Sequence, residues 1–180
     1  MNRKNWLDAS EIELVEHIQR QHSEMIGKFL NAQTLLAAAV EQHKDQFGDI
    51  LGPLREFVPE FKTKMKAHFA GEEKVLLPYI RQMDEFNKGK GEKPVFHIGS
   101  IKNPISQMEY EHDLTETVMF KKIHSITGDY NLPPDSSDAL KALYDSLKDI
   151  EKNLSEHIHL EHNVLFPLAI ELELQLMHKK

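Results

Sequence analysis

The stretch HIHLEHNVLFP, residues 157–167, places three of the chain's eleven histidines and a glutamate within six positions, beside a run of core-type residues. Imidazoles and carboxylates at this density are the raw material of a metal site. A helix advances about 100° per residue, so it cannot aim all four side chains at one point. The stripe Leu143, Leu147, Ile150, Leu154 continues at three- and four-residue steps onto His157, Glu161 and Val164. His159 falls about 200° from His157 and His162 about 140°. The stripe therefore selects His157 and Glu161 and leaves the other two as bystanders.

The same step along the rest of the chain finds three more such seams. Val15, Ile18, His22, Met25 and Phe29 form one, and Phe61, Met65, His68, Glu72, Val75 and Tyr79 a second. Ile105, Met108, His112, Thr115 and Met119 form the third. One histidine on an apolar stripe is ordinarily a hydrogen-bonded core residue. A buried glutamate is harder to accommodate, because its charge costs several kcal/mol unless paired or ligated. Four histidines and two glutamates on one core read as a metal site. HFAGEEKVLLP (68–78) also aligns with HIHLEHNVLFP without a gap, pairing His68 with His157, Glu72 with Glu161 and Pro78 with Pro167. That echo implies a pseudo-twofold centre. The shared proline either bends its helix or ends it.

Four helical segments must hold these seams. The first runs from Ser10, in a capping box with Glu13, to Lys44. A turn around Gly48, Gly52 and Pro53 leads into the second, which runs to Asp84 and carries Pro59 near its start or at a kink. The loop EFNKGKGEKPVFHIGSIKN (85–103) follows. The third segment starts near Pro104 and ends at Gly128. GDYNLPPDSS (128–137) is a turn, with Ser136 or Ser137 capping the fourth segment from Asp138 towards the C-terminus. No strand pattern competes. The expected fold is all-α, an up-down-up-down antiparallel four-helix bundle, with residues 1–180 forming a single domain. With a rise of about 1.5 Å per residue, the six seam residues fall about 13 to 28 Å from one end of such a bundle. That spread is within the error of the helix boundaries, so all six can meet at one height.

Composition narrows the function. A formal charge of −7 argues against a nucleic-acid partner. The absence of cysteine excludes disulfides, thiolate-held clusters and a cysteine nucleophile. The start, MNRKNWLDASEIE, has no apolar leader, and the longest apolar run, LLAAAV, is too short to span a bilayer, so a cytoplasmic protein without membrane contact is expected. No catalytic constellation stands apart from the metal ligands, and oligomeric state is unreadable. Four imidazoles and two carboxylates exceed what one zinc takes. They suit two metals with two histidines each and two shared carboxylates, and a shared water-derived oxygen would leave a position open on each. Iron fits best and manganese second. Ferritin-type bundles use Glu-x-x-His. Glu109–His112 and Glu156–His159 match that spacing, but they lie on consecutive helices and the second is off the seam. His112–Asp113 spells the HD of metal phosphohydrolases without the rest of that motif. Glu109 and Glu111 flank His112 as partners of a ligand or as surface charges. His43 reads as a capping or surface residue, and His17, His97, His124 and His178 as mostly solvated.

HFAGEEKVLLP, NPISQMEYEHD (103–113) and HIHLEHNVLFP together resemble the hemerythrin-like (HHE cation-binding) bundles, and more narrowly the di-iron "repair of iron centres" proteins. The resemblance covers almost the whole chain. It implies two iron ions, oxo- and carboxylate-bridged, held by His22, His68, His112 and His157 with Glu72 and Glu161 bridging. Oxygen-carrying hemerythrins have an additional histidine, so six ligands favour the repair branch. That branch implies protection or restoration of damaged iron–sulfur proteins under nitrosative or oxidative stress. Many of its members carry an extra N-terminal domain with a cysteine pair, whereas this chain begins directly with the bundle. Two alternatives stand beside it: a carrier or sensor that holds O2 or NO reversibly, and a structural bundle whose histidines bind nothing.

Overall fold

The computed structural model describes residues 6–43, 46–95 and 99–178, and among them every regular element is helical. Lys44 and His97 lie outside the described residues. The first arm is α1 (Glu11–His43). Its capping box forms as expected, with the Ser10 N–H donating to Glu13 Oε2 at 3.0 Å and the Glu13 N–H to Ser10 Oγ at 3.4 Å. The second arm is α2 (Gly48–Gly71), a π-helical turn over Glu72–Leu76, and α3 (Leu77–Asn87). The third is α4 (Lys102–Leu114), a π turn over Thr115–Phe120, and α5 (Lys121–Thr127), closed by Gly128 in the left-handed conformation. The fourth is α6 (Asp138–Leu160), a π turn over Glu161–Leu165, and α7 (Phe166–His178). The Leu140 N–H donates to Ser137 Oγ, so Ser137 is the cap.

Three local expectations change. Gly48, Gly52 and Pro53 are the opening turns of α2 rather than a turn before it, and Pro59 lies within that helix. The second arm runs on to Asn87, three residues beyond the expected Asp84. Neither Pro78 nor Pro167 ends its helix. Each follows directly on a π turn in which the glutamate's carbonyl accepts from the residue five positions on, Leu77 for Glu72 and Phe166 for Glu161. Proline has no N–H to donate, and its ring crowds the carbonyl four residues back; a widened turn absorbs both defects. The extra residue also shifts the register. Val75, expected on the seam, is 44% exposed, while Leu76 takes the buried place at 1%.

The contacts divide into two compact units, each drawing on all four arms. One comprises the described residues of Met1–His22, His68–His112 and Glu156–Lys180. It joins the starts of arms one and three with the ends of arms two and four, the alternation of an up-down-up-down bundle. Its apolar core includes Leu14, Ile18, Leu77, Ile80, Met83, Ile105, Phe166 and Leu172. All six candidate metal residues belong to it. Buried Glu173 accepts from Ser100 Oγ and the Ile101 N–H, each at 2.7 Å, and so fastens the loop before α4 to α7.

The other unit comprises Ser23–Ala67 and the residues Asp113–Ser155. Phe61 is its centre, 5.1 Å from Phe29, 5.5 Å from Phe57 and 6.3 Å from Phe120 between ring centroids. His43 is buried, and its Nε2 accepts the Ser137 N–H at 3.1 Å, so it serves as a cap for α6. His124 is not solvated as expected. Its two ring nitrogens lie 2.8 Å from Asp129 Oδ1 and 2.8 Å from Glu151 Oε1, and Tyr130 donates its hydroxyl to Glu151 at 2.7 Å. This clamp holds three consecutive left-handed residues, Gly128, Asp129 and Tyr130, two of which carry side chains that disfavour that conformation. The hydrogen bond to Glu151, set against burial and aided by Asp129, holds the His124 imidazolium above the ordinary histidine range. A raised histidine contributes stability in full below the unfolded value, near pH 6.5, and loses it as pH rises through the folded value. Thermal unfolding followed from pH 6 to pH 9 is expected to show this decline, and His124→Gln to flatten it.

Candidate metal centre

Each seam residue sits one or two turns from the apolar positions that fix its helix, so packing aims it inward. The result is a cluster of six side chains at 5% exposure or less: His22, His68, Glu72, His112, His157 and Glu161, with both glutamates at 0%. Among the described residues two groups of donor atoms stand within 4.8 Å of one another: His22, Glu72, His157 and Glu161, and His68, Glu72, His112 and Glu161. Each glutamate belongs to both groups. His22 Nε2 lies 2.9 Å from Glu72 Oε2 and His68 Nε2 3.4 Å from Glu72 Oε1. On the other side, His112 Nε2 lies 3.2 Å and His157 Nε2 3.4 Å from Glu161 Oε2. His68 and His112 bring their Nε2 atoms to 3.0 Å.

This is a poor arrangement for hydrogen bonding and a good one for a cation. Both oxygens of Glu72 and of Glu161, and Nε2 of His22 and His157, are buried without a hydrogen-bond partner. Such groups ordinarily find partners when buried. Here the lone pairs converge instead, and a mixed imidazole and carboxylate set suits a first-row transition metal. The protonation behaviour agrees. Burial pushes the Glu161 carboxyl up to about 8, and burial plus the facing Glu161 raises Glu72. Burial and the surrounding imidazoles push His157 well below the ordinary histidine range. For His22, burial acts downward but the Glu72 carboxylate beside it prevails and raises it. Without a cation the site keeps its charges down by holding protons on carboxyls.

Every one of the four imidazoles turns Nε2 inward and Nδ1 outward, and every Nδ1 meets a partner. His22 faces Glu73 at 2.9 Å, His68 faces Glu111 at 2.8 Å, His112 faces His162 at 2.8 Å and His157 faces Gln21 at 3.2 Å. Such contacts fix ring orientation and tautomer. Glu111 is thus a partner, as one of its two expected roles had it, and hydrogen bonds from Gln107 and His68 outweigh burial to hold its carboxyl below the usual range. Glu109 is exposed. His162 is no bystander, since it supports His112. His159 is exposed and bonds only locally, with Asn163. Glu73 and Gln21 carried no seam signal, yet all four partners sit immediately beside a seam residue in sequence. A residue 100° round from an inward ligand faces the adjoining helix. Phe69 stacks on His22 at 4.3 Å between centroids, and Phe166 lies parallel to His112 at 6.1 Å, which walls the cluster with apolar surface.

Fold and site together define an all-α, four-helix metal-binding protein. The family model for the hemerythrin HHE cation binding domain matches residues 13–169, and the chain belongs to that family. It is similar to an iron-sulfur cluster repair protein, YtfE, from Escherichia coli O1:K1 / APEC, at 29% identity over 167 residues, spanning 93% of this chain and 70% of the relative. Proteins of the same name from Escherichia fergusonii and from Escherichia coli strain SMS-3-5 show the same identity and coverage. No helix among the described residues is long and apolar enough to cross a membrane.

Proposed function

We propose that residues 1–180 form a single di-iron domain that protects or repairs iron–sulfur and other iron centres under nitrosative or oxidative stress. His22 and His157 would hold one iron, His68 and His112 the other, and Glu72 and Glu161 would bridge them; manganese is the second candidate. The observation that carries this is the sharing of two fully buried, unpartnered glutamates between both donor groups. The repair-protein names of the relatives support the choice of iron–sulfur proteins as the acceptors served. The burial of the cluster restricts free access to small ligands such as NO or O2.

An iron pair, when bound, supplies one-electron redox change and open coordination positions. The chain's own residues do the rest. Glu72 and Glu161 exchange their protons for the cations and balance their charge. Glu73, Glu111, His162 and Gln21 hold the imidazoles in the tautomer whose Nε2 lone pair points inward. Phe69 and Phe166 exclude water, so the carboxylates meet the metals without solvent competition.

Metal analysis of untagged protein reconstituted anaerobically with ferrous iron tests the reading, with absorption spectra before and after nitric oxide. About two irons per chain and a spectrum altered by nitric oxide are expected. Less than about half an iron per chain would sink it. Transfer of iron to an apo acceptor separates repair from a reversible carrier, which would keep both metals through cycles of gas binding.

A further inference from the structure

The outer partners of the four imidazoles obey the same pseudo-twofold as the ligands, but their chemistry does not. Glu73 and His162 each directly follow a bridging glutamate, and each supports the first- or third-arm histidine, His22 or His112. Gln21 and Glu111 each directly precede a first- or third-arm histidine and support His157 or His68. Position for position, a carboxylate on one side answers to a neutral group on the other. An imidazole whose Nε2 ligates a metal must keep its proton on Nδ1 and donate it outward. In that tautomer His22 and His68 would donate to carboxylates, His112 to the Nε2 of His162 and His157 to the amide oxygen of Gln21.

A carboxylate acceptor makes a charge-assisted bond and raises the donor strength of the opposite ring nitrogen; a neutral acceptor does so less. The two carboxylate-backed histidines are those beside Glu72, at 2.9 and 3.4 Å. The two neutral-backed histidines are those beside Glu161, at 3.2 and 3.4 Å. Each donor group contains one histidine of each kind, so the two metal positions are alike in strength. The difference runs across the centre instead.

We infer that the site is polarised across its pseudo-twofold axis, with a tight edge at Glu72, His22 and His68 and a labile edge at Glu161, His112 and His157, and that iron leaves through loss of the labile edge. This rests on the iron reading above. Gln21, Glu73 and Glu111 act here as positioning residues, through the imidazoles they hold.

The test is the rate of iron loss from reconstituted protein to an excess of a ferrous chelator, in isosteric variants. Glu73→Gln and Glu111→Gln weaken the tight edge and are expected to speed release by about tenfold. Gln21→Glu gives His157 a carboxylate and is expected to slow release several-fold. A merely structural role predicts faster release from all three, so the slowing by Gln21→Glu is the deciding sign. Thermal unfolding of the metal-free variants identifies any that misfold. Should Gln21→Glu be among them, His162→Glu, which gives His112 a carboxylate, replaces it with the same expected slowing and the same deciding sign. Release from Gln21→Glu as fast as from the unsubstituted chain, or faster, overturns the polarity while leaving the iron reading intact. An unsubstituted chain that takes up no iron overturns the iron reading, and the polarity with it.

Discussion

Glu161→Leu and Glu72→Leu are expected to strip the chain of iron and abolish the near-ultraviolet absorption of the centre, while Glu161→Leu makes the metal-free protein more stable. The two halves of this result have one cause. Both carboxylates sit at 0% exposure, but Glu72 faces His22 at 2.9 Å whereas both oxygens of Glu161 are left without a hydrogen-bond partner, so without a cation Glu161 is a burden on the fold. Leucine has a similar volume and no charge or polar atom to bury. Glu161, pushed up to about 8, is buried as a neutral carboxyl at neutral pH, so leucine there removes an unsatisfied polar group that costs about 1–3 kcal/mol. Glu72→Leu also takes away the carboxylate that faces His22 and is expected to destabilise. As bridging ligands, by contrast, each glutamate belongs to both donor groups, and losing either one affects both metal positions. Metal analysis and thermal unfolding on the same samples provide the check. Retention of two irons per chain by both variants would show the bridging assignment to be wrong. Loss of iron together with lower metal-free stability in Glu161→Leu would mean that this carboxyl supports the fold in some other way.

The parts of this site that were legible in the sequence are those that obey the helix period. His22, His68, His112 and His157 lie on stripes of core residues, and burial of Ile18, Met108 or Leu154 dictates where their neighbours three and four positions away must point. Caps were legible for a similar reason, since Ser10 with Glu13, and Ser137, act within one turn. What escaped was either aperiodic or dependent on another helix. Val75 was placed inside because a strict 3-4 step ignores the π turn at Glu72–Leu76, and nothing but the nearby Pro78 hinted at it. His162 was dismissed on angle alone. Its angle is the useful fact, because a residue turned away from the core by one position faces the adjoining arm, where the Nδ1 of His112 stands. Taken in isolation, His43 reads as a capping or surface residue and His124 as a solvated one. Their partners Glu151 and Ser137 come from elsewhere in the chain, so only His43's capping role could be guessed.

Removing the metal should leave a protein whose stability falls as pH rises from about 6.5 to 8, and adding iron should reduce that fall to the part that His124 contributes. The sign follows from proton counts in the two states. Glu161 titrates at about 8 when folded, against an ordinary value near 4.5, so above 4.5 the folded form keeps a proton that the unfolded chain has released. His22, raised above 6.5, behaves in the same sense once pH passes 6.5. Stability is lost as pH climbs through these folded values, at up to about 1.4 kcal/mol per pH unit for each proton so retained. Below 6.5 the depressed His157 works the other way, because the unfolded chain takes up a proton that the folded form refuses. It offsets part of the effect of Glu161 and Glu72 there, so the decline is steeper above 6.5 than below it. A bound cation replaces these protons, so iron uptake should release protons, and the stabilisation it brings should grow with pH across the same window. Calorimetric unfolding of chelated and reconstituted protein at half-unit pH steps measures both slopes. Metal-free Glu161→Gln, which cannot titrate at that position, should show a shallower decline than the unsubstituted chain. An equally steep decline in that variant would remove Glu161 as its source.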